Sequence, residues 1–145
     1  AVMGVSCGGM MTLGVAADPR IDTIGVYNSG AGMIPGPDGA SVEETLAAIH
    51  TPTIYLDGGE VDLAHGRSLA NYEAINHVPI FYGARDNGGH SATYSHPGGG
   101  EFANVTADWL DWRLKGDASK SATFIGENCT LCADPNWDAR SKGFD

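Results

Sequence analysis

The feature that most constrains this chain is Gly4-Val5-Ser6-Cys7-Gly8, set between an apolar run (1–5) and a helix-forming stretch (8–17). Two glycines spaced around a serine let a strand pass into a helix through a turn too tight for ordinary side chains. The expectation is that a Cβ at either glycine would strike the neighbouring backbone. It is also that Ser6 sits in a strained conformation at the carboxyl edge of a sheet, its hydroxyl exposed and the Cys7 N–H beside it.

The rest of the chain repeats the strand-to-helix pattern. Residues 21–27 (IDTIGVY) are β-branched and apolar, the pattern of a central strand, and Asn28-Ser29-Gly30 closes it. Residues 33–39 hold two prolines and two glycines and read as a loop. Ser41 with Glu44 is a capping box and predicts a short helix to about residue 50. Strands are predicted at 53–56 and 80–82, each followed by a glycine-containing turn, 57–62 and 86–90, with a helix at 67–75 between them. Residues 102–115 form the strongest helical pattern, with Phe102, Val105, Trp109 and Trp112 on one stripe and Gly116 as its stop. That spacing marks the tryptophans as core residues rather than a substrate platform. Four strand–helix units in alternation predict one α/β domain over 1–145, with a parallel sheet and flanking helices. In such sheets, sites form outside the carboxyl ends of the strands. Ser6 and both glycine-containing turns lie there.

A serine hydroxyl needs a base within hydrogen-bond reach to act as a nucleophile. His90, directly after a strand in the 86–90 turn, is the candidate; His96, six residues on, is its rival, while His50 and His77 read as capping or solvated groups. The base needs a carboxylate to fix its tautomer. Asp57, Glu60 and Asp62 share the earlier turn; Asp62, a few residues beyond the strand, can lean back toward His90 and ranks first, with Asp57 read as a turn cap. The order Ser6, Asp62, His90 is that of serine hydrolases built on α/β sheets. Around them, the Cys7 N–H is the candidate oxyanion donor, and Tyr94, Met33 and His65 are candidate substrate-binding residues.

Composition narrows the partners. A formal charge of −10, from 18 acidic against 8 basic residues, argues against nucleic acid and against an anionic membrane surface. No apolar run approaches a membrane span. Cys129 and Cys132 form a lone C-x-x-C in a polar C-terminal stretch, away from a strand-to-helix junction and without a second pair of ligands. The expectation is a short disulfide rather than a redox or metal centre, which implies a secreted or extracytoplasmic location.

These stretches together, AVMGVSCGG, ADPRIDTIGVYNSG, TPTIYLDGGEVDLAH, NHVPIFYGARDNGGHSATY and GGEFANVTADWLDWRLKGD followed by FIGENCTLC, resemble the C-terminal half of an α/β-hydrolase. They are similar to the dienelactone-hydrolase-like esterases and the polyester hydrolases. The resemblance implies Ser6 as nucleophile, His90 as base and Asp62 as acid, acting on small or polymeric carboxylic esters through an acyl-enzyme, with no metal or organic cofactor. It also implies strands before the elbow, one of whose loops supplies a second oxyanion donor. The expectation is therefore a sheet without those N-terminal strands and with one edge open and apolar. An N-terminal companion chain or a second copy would then complete it. The competing reading is an inactive unit that serves structure or oligomerisation through that edge.

Overall fold

A computed structural model describes residues 1–32 and 35–144. Five strands form one sheet: β1 (Val2–Val5), β2 (Ile24–Tyr27), β3 (Thr53–Asp57), β4 (Ile80–Arg85) and β5 (Trp137–Lys142). They lie side by side in chain order. β1 to β4 are parallel, with Val5 opposite Tyr27, and Tyr27 opposite Leu56. β5 runs antiparallel to β4 from Arg85–Trp137 to Ile80–Lys142. The sheet is thus mixed rather than parallel throughout, and β4 is not an edge. The polar C-terminal stretch, where no strand is predicted, forms β5, which alternates inward Trp137 and Ala139 with polar residues. That is the pattern of a strand with one wet face, and its Arg and Lys suit an exposed edge. At the other side of the sheet β1 has no outer neighbour among the described residues.

The period-two alternation of the strands divides the core. Ile24, Val26, Tyr55, Ile80 and Tyr82 face a cluster that includes Leu13, Leu46, Tyr72 and Ile75. These come from α1 (Cys7–Gly14), α2 (Val42–Ala47) and α3 (His65–Ala74) and their flanks. Tyr27, Ile54, Leu56 and Phe81 face the opposite cluster, with Phe102, Val105 and Trp109 of α4 (Gly100–Lys115) and with Phe124, Leu131 and Trp137. Helices therefore cover both faces, an α/β arrangement. The predicted α4 stripe is buried, Trp109 fully, with its indole N–H donating to Thr23 Oγ1 at 2.9 Å. Gly116 closes α4 in the left-handed region at φ 73°. The capping box holds in both directions: Glu44 N–H donates to Ser41 Oγ at 3.1 Å, and Ser41 N–H to Glu44 Oε2 at 2.8 Å. Cys129 and Cys132 are disulfide-bonded, at the start of the short α5 (Thr130–Ala133).

Candidate active site

Ser6 stands between β1 and α1 with φ 52° and ψ −118°, a left-handed conformation that costs an L-residue about 1–3 kcal/mol. Its N–H donates to Tyr27 O at 2.9 Å, and its carbonyl accepts from the buried Ser29 hydroxyl at 2.7 Å. The elbow is thereby pinned to the end of β2. Gly4 is required for the reason the sequence suggests, since a Cβ there would stand 2.2 Å from Gly8 O. Gly8 is different, because a Cβ on it would meet open space. The close approach belongs to Gly9, where a Cβ would lie 2.5 Å from the Ser29 Cβ. The helix packs against the end of β2 one residue later than the motif predicts. The Cys7 thiol is free and exposed. The Cys7 N–H, first in α1, makes no hydrogen bond among the described residues.

The turns after β3 and β4 meet above the sheet edge. Gly89 N–H donates to Gly58 O at 2.8 Å, and a Cβ on Gly58 would overlap Gly89 O at 1.9 Å. Only glycine allows this contact, which brings Asp62 and His90 together. His90 Nδ1 is 2.8 Å from Asp62 Oδ1, and His90 Nε2 is 2.9 Å from Ser6 Oγ. An ionised carboxylate only accepts, so Nδ1 carries the proton and Nε2 is left to accept the Ser6 hydroxyl. Beyond His90, Thr93 ties the chain to α4 by accepting the Phe102 N–H at 3.0 Å.

The Asp62 side chain is fully buried. Burial pushes its carboxyl up. Four donors outweigh that and hold it below the ordinary aspartate range: the N–H groups of Ala64 and Gly58, then His90 and the Asn28 amide. The Asn28 amide nitrogen lies 2.6 Å from Asp62 Oδ2 and 3.2 Å from Gly89 O, and Asn28 Oδ1 accepts the Tyr94 hydroxyl at 3.0 Å. In sequence Asn28 reads only as the close of a strand.

The remaining candidates are distributed as follows. Tyr94 stands beside the triad through Asn28, its ring edge-on to Phe102, and walls an apolar groove of about 280 Å³ with Tyr27, Phe102, Ala103 and Thr106. His65 belongs to a different cluster. Its Nδ1 is 3.1 Å from Asp57 Oδ1, and Asp57 also accepts from Gly59 N–H, the Tyr82 hydroxyl at 2.9 Å and the Ser68 hydroxyl. Asp57 is thus more than a turn cap: it is a buried carboxylate at the root of the turn. His96 is exposed and makes no side-chain hydrogen bond among the described residues, and Glu60 is exposed. Met33 lies outside the described residues. A cavity of about 590 Å³ between α1 and residues 31–32 and 35–45, lined by Met10, Met11, Leu13 and Val42, contains none of Ser6, Asp62 and His90. No group of three or more metal-ligating side chains occurs among the described residues. No helix among them is long and apolar enough to cross a membrane.

No protein-family model matches the chain, and no curated protein matches it. The functional reading rests on the geometry of these residues.

Proposed function

We propose that the chain is a serine hydrolase of the α/β-hydrolase type that cleaves carboxylic esters through an acyl-enzyme. The observation that carries this reading is the unbroken hydrogen-bond line Ser6 Oγ to His90 Nε2 and His90 Nδ1 to Asp62, with the serine strained and half-exposed at the sheet edge. His90 takes the Ser6 proton as Oγ bonds to the ester carbonyl carbon. The carbonyl oxygen becomes an oxyanion, which the Cys7 N–H would receive. His90 then gives the proton to the departing alkoxide, leaving an acylated Ser6 and the alcohol. Water then bonds to the acyl carbon as His90 takes its proton; the carbon–Oγ bond breaks, His90 returns the proton to Ser6 Oγ, and the carboxylic acid leaves. The ionised Asp62 holds the imidazole and stabilises it while it is charged. Neither step calls for a metal or organic cofactor. Tyr94 and its apolar groove would receive a hydrophobic portion of a small or polymeric ester. The disulfide supports an extracytoplasmic setting.

A non-catalytic, oligomerising role is favoured by one observation, the unpaired outer edge of β1. Intact-mass measurement before and after a fluorophosphonate probe separates the two. A single adduct mapping to Ser6, together with aryl-ester hydrolysis lost in Ser6→Ala, is the expected outcome. A stable oligomer with no adduct would overturn the esterase reading in favour of the structural one.

A further inference from the structure

Asn28 is fully buried, and its backbone takes φ 46°. Few side chains tolerate that region, and asparagine is one of them. The backbone still serves the sheet, since Asn28 N–H donates to Leu56 O at 2.8 Å. The left-handed turn redirects the side chain across the strand ends, toward the two turns that carry the acid and the base.

The orientation of the amide follows from its partners. The Asp62 carboxylate and Gly89 carbonyl can only accept, and the Tyr94 hydroxyl has a proton to give. The Asn28 NH₂ therefore faces Asp62 and Gly89, using both N–H groups, and Oδ1 faces Tyr94. One amide spans three segments: the acid at 2.6 Å, the turn leading into His90 at 3.2 Å and the groove wall at 3.0 Å. The other contacts to Asp62 are two backbone N–H groups of its own turn, Gly58 at 3.0 Å and Ala64 at 2.9 Å, and His90 itself. Among the described residues, Asn28 is the one side-chain donor to Asp62 besides His90, and it comes from the end of β2, the strand beside the nucleophile.

We infer that Asn28 is a positioning residue of the triad: it fixes Asp62 and the His90 turn in one frame and couples that frame to Tyr94. This rests on the proposed hydrolase reading for its catalytic consequence but not for its structural one. Asp62 and Ser6 face the imidazole directly. Tyr94 reaches it through Asn28, and burial first, then the Tyr27 phenol and the Asp62 charge, keeps the Tyr94 phenol protonated as a donor.

Three variants test the inference. Asn28→Gly removes the amide while suiting the positive φ. Asn28→Asp keeps the shape but puts an acceptor against Asp62. Tyr94→Phe removes the group that orients the amide. Two readouts are taken on each: kcat and KM for an aryl ester across pH, and the ¹⁵N shifts of the His90 ring nitrogens, which report its tautomer without turnover. Asn28→Gly is expected to lower kcat roughly ten- to a hundredfold with KM little changed, the effect of losing a hydrogen bond to a charged group. It is also expected to shift the His90 signals away from the pure Nδ1–H form. Asn28→Asp is expected to be worse at neutral pH and to recover toward wild type as pH falls, because the protonated new carboxyl can donate again. Tyr94→Phe should show the same signature at a few-fold. Unchanged kcat and unchanged ring-nitrogen shifts in folded Asn28→Gly would overturn the inference. If Asn28→Gly does not fold, wild-type behaviour of both other variants would do so. A wild-type protein that hydrolyses no ester but whose His90 signals move in the variants would overturn the hydrolase reading and leave the positioning role standing.

Discussion

Asp57–His65 and Asp62–His90 are both aspartate–histidine pairs with fully buried carboxylates, and both are rooted in the turn after β3. They differ in where the nearby serine sits. Ser6 Oγ meets the far nitrogen of His90, so the ring stands between hydroxyl and acid and can draw the hydroxyl proton. Ser68 Oγ instead bonds the Asp57 carboxylate directly, beside Tyr82, and its proton is already committed to an acceptor that is a weak base. The same three residue types thus make an open hydrogen-bonded line in one place and a saturated knot in the other. On the proposed reading, reactivity follows from the order of the groups and not from their presence.

The sharpest way to break this comparison is to remove one acid at a time. Asp62→Asn should lower kcat by about 10⁴-fold, because the amide supports the wrong tautomer of His90, and should also lower the thermal midpoint, because four donors already point at that buried carboxylate. Ester-hydrolysis kinetics beside a melting curve check this. A variant within tenfold of wild type would show that Asp62 is no part of the reacting line. Asp57→Asn should share the loss of stability but not the loss of turnover. An amide brings donors into a site that already supplies four, and the cost is about 2–4 kcal/mol of stability. Activity per folded molecule should stay within a few-fold, as denaturant titration and active-site counting would reveal. Equal losses of activity in the two variants would erase the distinction between the pairs.

The smallest expected effect is on acid stability. Asp62 is held below its unfolded value, so it stabilises the fold fully above the ordinary aspartate pKa of about 3.9. That contribution disappears as pH falls from there through the lower folded value. Melting temperature from pH 6 down to pH 2 should therefore drop more steeply in wild type than in Asp62→Asn. Parallel curves would mean that the four donors to Asp62 do not discriminate its charged form.

How far the site could be read in the residues depends on how local each signal is. Ser6, Asp62 and His90 each sit within a few residues of the end of an apolar run, in a turn whose glycines announce it. Their convergence follows from the rule that parallel strands present their carboxyl ends together. Asn28 has the same address, but nothing local marks it. Its role depends on partners 34, 61 and 66 residues away, and at a strand end an asparagine is an ordinary turn residue. His65 has a histidine's chemistry and a position beside the cleft, and only the packing of α3 turns it onto Asp57. The elbow was legible as a motif and misread in detail, since the helix makes its close contact through Gly9 rather than Gly8. β5 escaped because an edge strand needs apolar residues on one face only, and Trp137 and Ala139 are too few to stand out among charges.

The strands lie in the sheet in the order in which a ribosome would deliver them. Each parallel strand from β2 to β4 can add to an edge already laid down, with no later segment needing to be threaded between earlier ones. The Ser6 hydroxyl follows β1, Asp62 lies in the turn after β3 and His90 in the turn after β4. On the proposed hydrolase reading, a nascent chain carrying the elbow therefore has no acylatable serine until β4 has emerged and docked. Labelling of stalled chains of increasing length would then read out sheet assembly directly, with chemical competence appearing as a late step of synthesis.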